Sequence, residues 1–430
     1  MKFQIKHYIF FLLLFLEMGI SSFLYAQSDS TDVIAHIEIR GARITQPYII
    51  LREMSLHVGD TVTDAALEHD KNRIYNLELF NRVELYQTND TLVVDVVERW
   101  YILPSLIFGF QYDDFSKMYY GVGISHQNFR GRNEEIGVSA GFGYDGWLNF
   151  NFYAPNFTPN DDIISSLNLA YQKVHNLSSS YGEYENTNYS IHFSLGKRIG
   201  LYHRIQATIG YDSWSVDESI TGRTLSSSGK DSYPMLALSY RYDTRNSIEY
   251  TTEGALVKCS VSKYGLNDKT VNLLRYDYDV RHFWGIRKYS GFGLRSAGSF
   301  LGGGLVPPYF HTFFGYNEHI RGHYNLSYEG ECLMMLSSEL RLPILSPRYF
   351  SLPFIQRSEF TQMRYGLYWA FFADAGKIWY RTQRIDRRPL LVGYGGGFHA
   401  LLPYSMCIRF EIAINEDREV EFYFAWDVPF

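Results

Sequence analysis

Between Leu274 and Arg281 the chain reads Leu-Arg-Tyr-Asp-Tyr-Asp-Val-Arg, with a charge at every second position. Successive side chains of an extended strand point to opposite faces, so Leu274, Tyr276, Tyr278 and Val280 share one face and Arg275, Asp277, Asp279 and Arg281 the other. A slip of one residue would turn all of those charges over, so the register is specified by the sequence. Few surroundings accept such a strand: one face needs an apolar medium, the other water or opposite charge. The pattern recurs. After Met406 the outward set is Ile408, Phe410, Ile412 and Ile414, with Arg409 and Glu411 inward. In the last segment Phe422, Phe424, Trp426, Val428 and Phe430 share a face opposite Glu421, Tyr423, Ala425 and Asp427. From Leu103 onward about sixteen such segments of roughly ten residues follow one another, each long enough to cross a bilayer as a tilted strand.

Composition agrees. Aromatic residues make up 17% of the chain, with 36 Tyr and 31 Phe, yet mean hydropathy is −0.20. No apolar run after the amino terminus is long enough for a transmembrane helix. Aromatic-rich alternating strands without apolar helices predict an outer-membrane β-barrel, a secreted all-β protein being the alternative. A charged side chain facing the bilayer midplane costs up to ~2–4 kcal/mol, so the charged faces line the lumen. An even strand number sets both ends of the barrel on one side, and closure removes an edge that lipid cannot satisfy. A net charge of −6 leaves no basic footprint for nucleic acid.

The chain opens with Lys2, Lys6 and an apolar stretch from Tyr8 to Leu16, which predicts a signal peptide at 1–26 cleaved after Ala26. Cys259, Cys332 and Cys407 are far apart and lack metal-ligand spacing; alternation sets the first two on the lipid side and the third on the lumen side, as three unpaired thiols. No cofactor or metal is expected, the histidines showing no paired ligand spacing.

Residues 33–99 read differently. Val33–Ile39 is a strand ending at Gly41, Pro47 opens a short helix through Met54, and Thr63 caps a second with Leu67, Ile74 and Leu77 at helical spacing. Arg82–Tyr86 and Leu92–Val97 flank Thr88-Asn89-Asp90 as a hairpin. This β-α-α-β-β unit, with Gly41, Arg52-Glu53, Gly59-Asp60, Leu79-Phe80-Asn81-Arg82-Val83 and Glu98-Arg99, resembles a POTRA domain, the periplasmic module of the BamA/TamA-type outer-membrane assembly family.

The remainder, 100–430, is then expected to resemble the family's surface-antigen barrel, with sixteen antiparallel strands by the count of alternating segments. Counting strands makes the glycine-rich stretch before Cys332 the sixth outward loop. It holds Phe314–Tyr324, with Arg321 followed by Gly322, and the best carboxylate for that arginine is inward-facing Asp374 in Phe372-Ala373-Asp374-Ala375-Gly376. In the family this loop carries a Val/Ile-Arg-Gly-aromatic motif that folds into the barrel and meets a Phe-x-Asp-x-Gly strand. Here Ile320-Arg321-Gly322 matches the first and Phe372, Asp374 and Gly376 the second, with His323 where the family usually has Phe or Tyr. Glu339 resembles a further inward acid, Tyr242–Ser247 with Glu253-Gly254 a periplasmic turn, and Phe430 the family's assembly signal. On that basis Arg321, Gly322, Glu339, Phe372, Asp374 and Gly376 form a loop lock, and Leu103, Phe108, Phe422, Phe424, Trp426 and Phe430 form a seam where the first strand (103–111) meets the last (421–430).

Other signals point elsewhere weakly. Gly137-Val138-Ser139-Ala140-Gly141 fits a nucleophile-elbow pattern but lies inside an alternating strand, and Gly393-x-Gly395-Gly396-Gly397 lacks the helix a dinucleotide loop requires, so it reads as a flexible strand or close packing site. The leading expectation is therefore a non-enzymatic protein that folds, inserts or exports client polypeptides by strand addition at the seam. Its partners would be outer-membrane or secreted polypeptides, outer-membrane lipid, and periplasmic chaperones or accessory proteins. One POTRA unit implies a narrower client set than that of a general insertase. The alternatives are a secretion pore or channel of two-partner type and a hydrolase built on Ser139.

Overall fold

The computed structural model describes residues 33–110, 115–158, 161–178, 182–216, 222–266, 270–315, 318–324, 327–352, 354–355, 357–426 and 430. The expected signal peptide, and Gln111, Asp427 and Val428 of the expected seam strands, lie outside the described residues.

The amino-terminal unit runs β1 (His36–Arg40), α1 (Pro47–Leu51), α2 (Asp64–Tyr75), β2 (Phe80–Thr88) and β3 (Thr91–Glu98). α1 stops at Leu51 rather than Met54, because Glu53 and Met54 bond back to Ile50 and Leu51 in a tighter turn. α2 begins as the sequence suggests, the Thr63 hydroxyl accepting from the Ala66 N–H, but ends at Tyr75 with Asn76 as its C-cap and leaves Leu77 beyond it. The sheet order is β1-β3-β2, with β1 parallel to β3. Ile34, Ile49, Ile50, Ile74, Leu79, Phe80, Leu92 and Val94 close a core of its own. On α2, buried Asp70 accepts from Ser55 N and Oγ (2.8 and 2.7 Å) and Leu56 N (2.9 Å), and faces His69 Nδ1 at 2.9 Å. Burial alone would raise its pKa; the hydrogen bonds from His69 and from Leu56 and Ser55 outweigh that and hold the carboxyl below its usual range.

The rest is one antiparallel sheet of sixteen strands rolled into a barrel. In chain order they are β4 (Ile102–Phe110), β5 (Met118–Phe129), β6 (Glu134–Gly143), β7 (Gly146–Ala154), β8 (Ile163–Ser178), β9 (Gly182–Ile199), β10 (His203–Val216), β11 (Lys230–Asp243), β12 (Gly254–Tyr264), β13 (Leu273–Arg287) and β14 (Ser290–Gly303). A small hairpin, β15 (Thr312–Phe314) with β16 (Tyr328–Gly330), lies in the loop that follows. Then come β17 (Cys332–Phe350), β18 (Met363–Trp379), β19 (Leu391–Leu402), β20 (Met406–Asn415) and β21 (Val420–Ala425). Each strand pairs with its neighbour in sequence except across the hairpin, where β14 pairs with β17.

Side-chain parity follows the alternation. On β18 Trp369, Phe371 and Ala373 are exposed outward while Phe372 and Asp374 are buried inward. Cys259, Cys332 and Cys407 form no disulfide among the described residues. Cys332 keeps its outward parity but is buried between its ladder partners Phe300 and Trp379. Ser139 sits mid-strand in β6, paired with Gly123 and Asn149, rather than on a sharp strand-to-helix turn.

Closure is where sequence and structure part. No ladder joins β4 to β21 among the described residues. β21 leaves its pairing with β20 at Ala425, short of the expected run to Phe430.

The amino-terminal unit is seated on the turns at one end of the barrel. Glu53 bonds Arg73 and Arg198, and Glu249 in the β11–β12 turn accepts from Tyr75 (3.0 Å) and Arg364 (2.9 Å). Asn76 accepts from Ile248 N (2.9 Å), Asn81 donates to Glu359 O (2.7 Å) and Gln46 N to Gly131 O (2.8 Å).

Candidate functional site: a loop lock and an open seam

The loop between β14 and β17 enters the barrel instead of extending away from it. Its first part is pinned by aromatic packing: Tyr309 stacks on Trp214 at 4.8 Å and donates to Asp231, while Phe310 packs on Tyr233 and Tyr264. Deeper, Glu318 takes both terminal nitrogens of Arg295 (2.7 and 2.8 Å), which also reaches Asp279. Ile320 is buried with Phe314, Leu333, Ile378 and Leu391.

At the tip is Arg321, 4% exposed. Its Nε and Nη2 donate to the two oxygens of Asp374 at 2.6 and 2.8 Å, a bidentate pair, and its own N–H adds a third bond to that carboxylate. Nη1 donates to Glu339 at 2.7 Å and to Glu411 at 3.3 Å, and the Phe372 ring lies under the guanidinium at 3.7 Å. Gly322 follows at φ +95°, a conformation that favours glycine.

The sequence reading sets Gly376 beside the loop backbone. In the structure two glycines share that role. A Cβ at Gly376 would meet the side chains of Ile320 and Phe314 at 2.8 Å, whereas a Cβ at Gly393 would stand 1.5 Å from the Arg321 carbonyl oxygen. Gly393 on β19 is where the loop backbone touches the wall. His323 faces Glu416 at 2.8 Å and Tyr328 at 3.1 Å, and Tyr324 stacks flat on Tyr423 at 3.5 Å, so both residues after the glycine anchor the tip.

Around the lock lies a network that sequence reasoning only partly found. Glu339 also accepts from Arg341 (2.8 Å), Glu411 from Arg409 (2.9 Å), and His399 bridges Glu411 (3.0 Å) to the Tyr250 hydroxyl (2.9 Å). Arg341 follows Glu339 at the same parity, and that spacing was the available signal. The donor atoms of Glu339, His399 and Glu411 lie within 4.8 Å of one another, close enough for a metal ion. Each already faces a partner, and Arg321, Arg341 and Arg409 balance Asp374, Glu339 and Glu411 without an added cation.

The seam residues divide. Phe108 on β4 and Phe422 on β21 are 76% and 80% exposed, with Phe424 and Trp426 exposed beside them, so both free edges present aromatics outward. Leu103 has the inward parity of β4 and is half-buried. Pro104, with no N–H, is tolerated in β4 as in other edge strands. Phe430 does not join the outward set. It is buried against Phe283, Gly293 and Arg341 on the inner wall, because Arg341 donates to its main-chain oxygen and the ring fits the space left by Gly293.

Two family models match the chain. The Omp85 superfamily domain covers residues 128–426, and a POTRA model, the surface antigen variable number repeat, covers 33–99. Among solved structures the fold is similar to BamA from Haemophilus ducreyi lacking POTRA domains 1-3, at 16% identity and TM-score 0.55 over 93% of this chain and 84% of that one. It is also similar to CdiB from Escherichia coli (9% identity, TM-score 0.53, 95% and 91% of the two chains) and to CdiB from Acinetobacter baumannii (14%, 0.50, 91% and 72%). With its sixteen strands, its amino-terminal module and the match across 128–426, the chain belongs to the Omp85 superfamily, its barrel in the bacterial outer membrane and its POTRA unit in the periplasm.

Proposed function

We propose that this chain is a non-enzymatic outer-membrane protein that inserts client polypeptides by adding their strands to its seam. The observation that carries the reading is the unpaired seam: among the described residues β4 and β21 each keep one unsatisfied edge, while the lock inside the barrel is fully bonded. A free edge offers a row of backbone donors and acceptors to an incoming strand, and lipid supplies no substitute for them. The lock then holds the wall next to the β21 edge rigid, tying β17, β18 and β20 to the loop so that opening is confined to the seam. The POTRA sheet carries edges of its own at β1 and β2, suited to receive an extended client, periplasmic chaperone or accessory protein first.

The test is reconstitution. In proteoliposomes this protein accelerates the folding of a urea-unfolded outer-membrane barrel, read as its gel-mobility shift on heating. Equal client folding in protein-free vesicles contradicts the reading. A translocation pore has one observation in its favour: a cavity of about 600 Å³ remains beside the loop, lined by Arg241, Lys258, Asp277 and Ser299 among others. Planar-bilayer conductance that rises on adding an unfolded polypeptide, with no client folding, would move the assignment to that function.

A further inference from the structure

The position of Phe430 conflicts with its own sequence. Phe422 and Phe424 face outward on β21, and Trp426 beyond it is exposed outward at 67%. The alternation continues that face to Phe430, so the local pattern specifies a lipid-facing ring. The structure has it 4% exposed, inside the barrel. Such a disagreement between local pattern and tertiary placement is expected at functional or strained sites.

The inner accommodation is a built pocket. The Phe430 ring lies 6.0 Å from that of Phe283, and the Arg341 guanidinium sits over Phe283 (5.2 Å), Phe430 (5.5 Å) and Tyr250 (4.4 Å). Gly293 makes the room: a Cβ there would meet the Phe283 ring at 2.7 Å and the Phe430 ring at 3.2 Å. Arg341 itself is fully buried and fully used, donating to Glu339, to Thr251 O and to Phe430 O. One side chain therefore joins the lock, the β11–β12 turn beneath the POTRA unit and the residue beyond the last strand.

We propose that the Phe283–Gly293–Arg341 pocket is an internal binding site for an aromatic residue, occupied by the chain's own Phe430. By holding Phe430 off the lipid face it keeps the seam unpaired, and through Glu339 it couples the seam to the loop lock. This deepens the seam reading and depends on it only for the functional consequence.

The test places the photo-crosslinking residue p-benzoylphenylalanine at 430 in the otherwise intact protein, purified in lipid nanodiscs without client. Irradiation is expected to give adducts to peptides containing Phe283, Gly293 or Arg341. Gly293→Val, which fills the pocket, should lower those adducts about tenfold, as a shift between two accommodations does, and raise adducts to lipid. Gly293→Ala, the milder change, should shift them in the same direction, with heat-modifiable mobility confirming a folded barrel in each case. Lipid adducts dominating in the intact protein, or an adduct map unchanged by Gly293→Val in a folded barrel, would overturn the proposal. Because no client is present, that result stands apart from the client-folding assay.

Discussion

At Arg321 the guanidinium is desolvated and answered by Asp374, Glu339 and Glu411 together. Removing one partner of a buried pair costs about 3–5 kcal/mol because a charge is left uncompensated, whereas an exposed pair is worth ~0–1 kcal/mol. Arg321→Ala and Asp374→Ala should each lower barrel stability by the larger amount, measured by urea unfolding in detergent. The double variant should be little worse than either single one, and Arg321→Lys, which cannot bond two oxygens in parallel, should recover only part of the loss. Gly393→Ala should impair assembly comparably, since its Cβ would overlap the Arg321 carbonyl. In the POTRA unit the sign of a pH effect can be fixed. Asp70 has a lowered pKa, so its contribution is present above its unfolded value of about 3.9 and is lost as pH falls through the folded one. Asp70→Asn should therefore cost about 1.5–3 kcal/mol at neutral pH, the worth of hydrogen bonds to a charged group, and the variant should lose less further stability than the parent during acid titration.

At the scale of elements, strand faces were legible because a charge facing lipid is so costly that alternation admits one register. Burial alternates with it along β18 from Gly366 to Ile378 and along β20, and on β13 Tyr276 is exposed while Arg281 bonds Asp279 inside. The lock was legible in part: Arg321, Asp374 and Glu339 share a loop tip and inward positions, and the structure brings them together with Phe372. Arg341, Arg409, His399 and Tyr250 were not, since an inward charge pattern does not say which charges meet across a lumen. Gly393 was visible as a close packing site, but its partner depended on how far the loop descends. Phe430 was misplaced because the pattern is local and its competitor, the pocket around Arg341, comes from distant strands. We further propose that 33–99 and 100–430 fold as separate units, the first having its own apolar core. Deleting 33–99 should leave a barrel that still shows heat-modifiable mobility but has lost client folding. Full client folding by the truncated protein would remove the POTRA unit from the mechanism.

In the whole molecule, we propose, a rigid wall locked from inside stands beside a seam held open. The most direct measurement places cysteines at Leu106 on β4 and Phe424 on β21, in a background without Cys259, Cys332 and Cys407, and bridges them with a reducible thiol crosslinker. Client folding in proteoliposomes is then followed before and after reduction. The account predicts that the bridged protein loses client folding and that reduction restores it, while an unbridged single-cysteine control stays active throughout. A bridged seam that still folds its client at the unbridged rate would contradict insertion by strand addition at the seam.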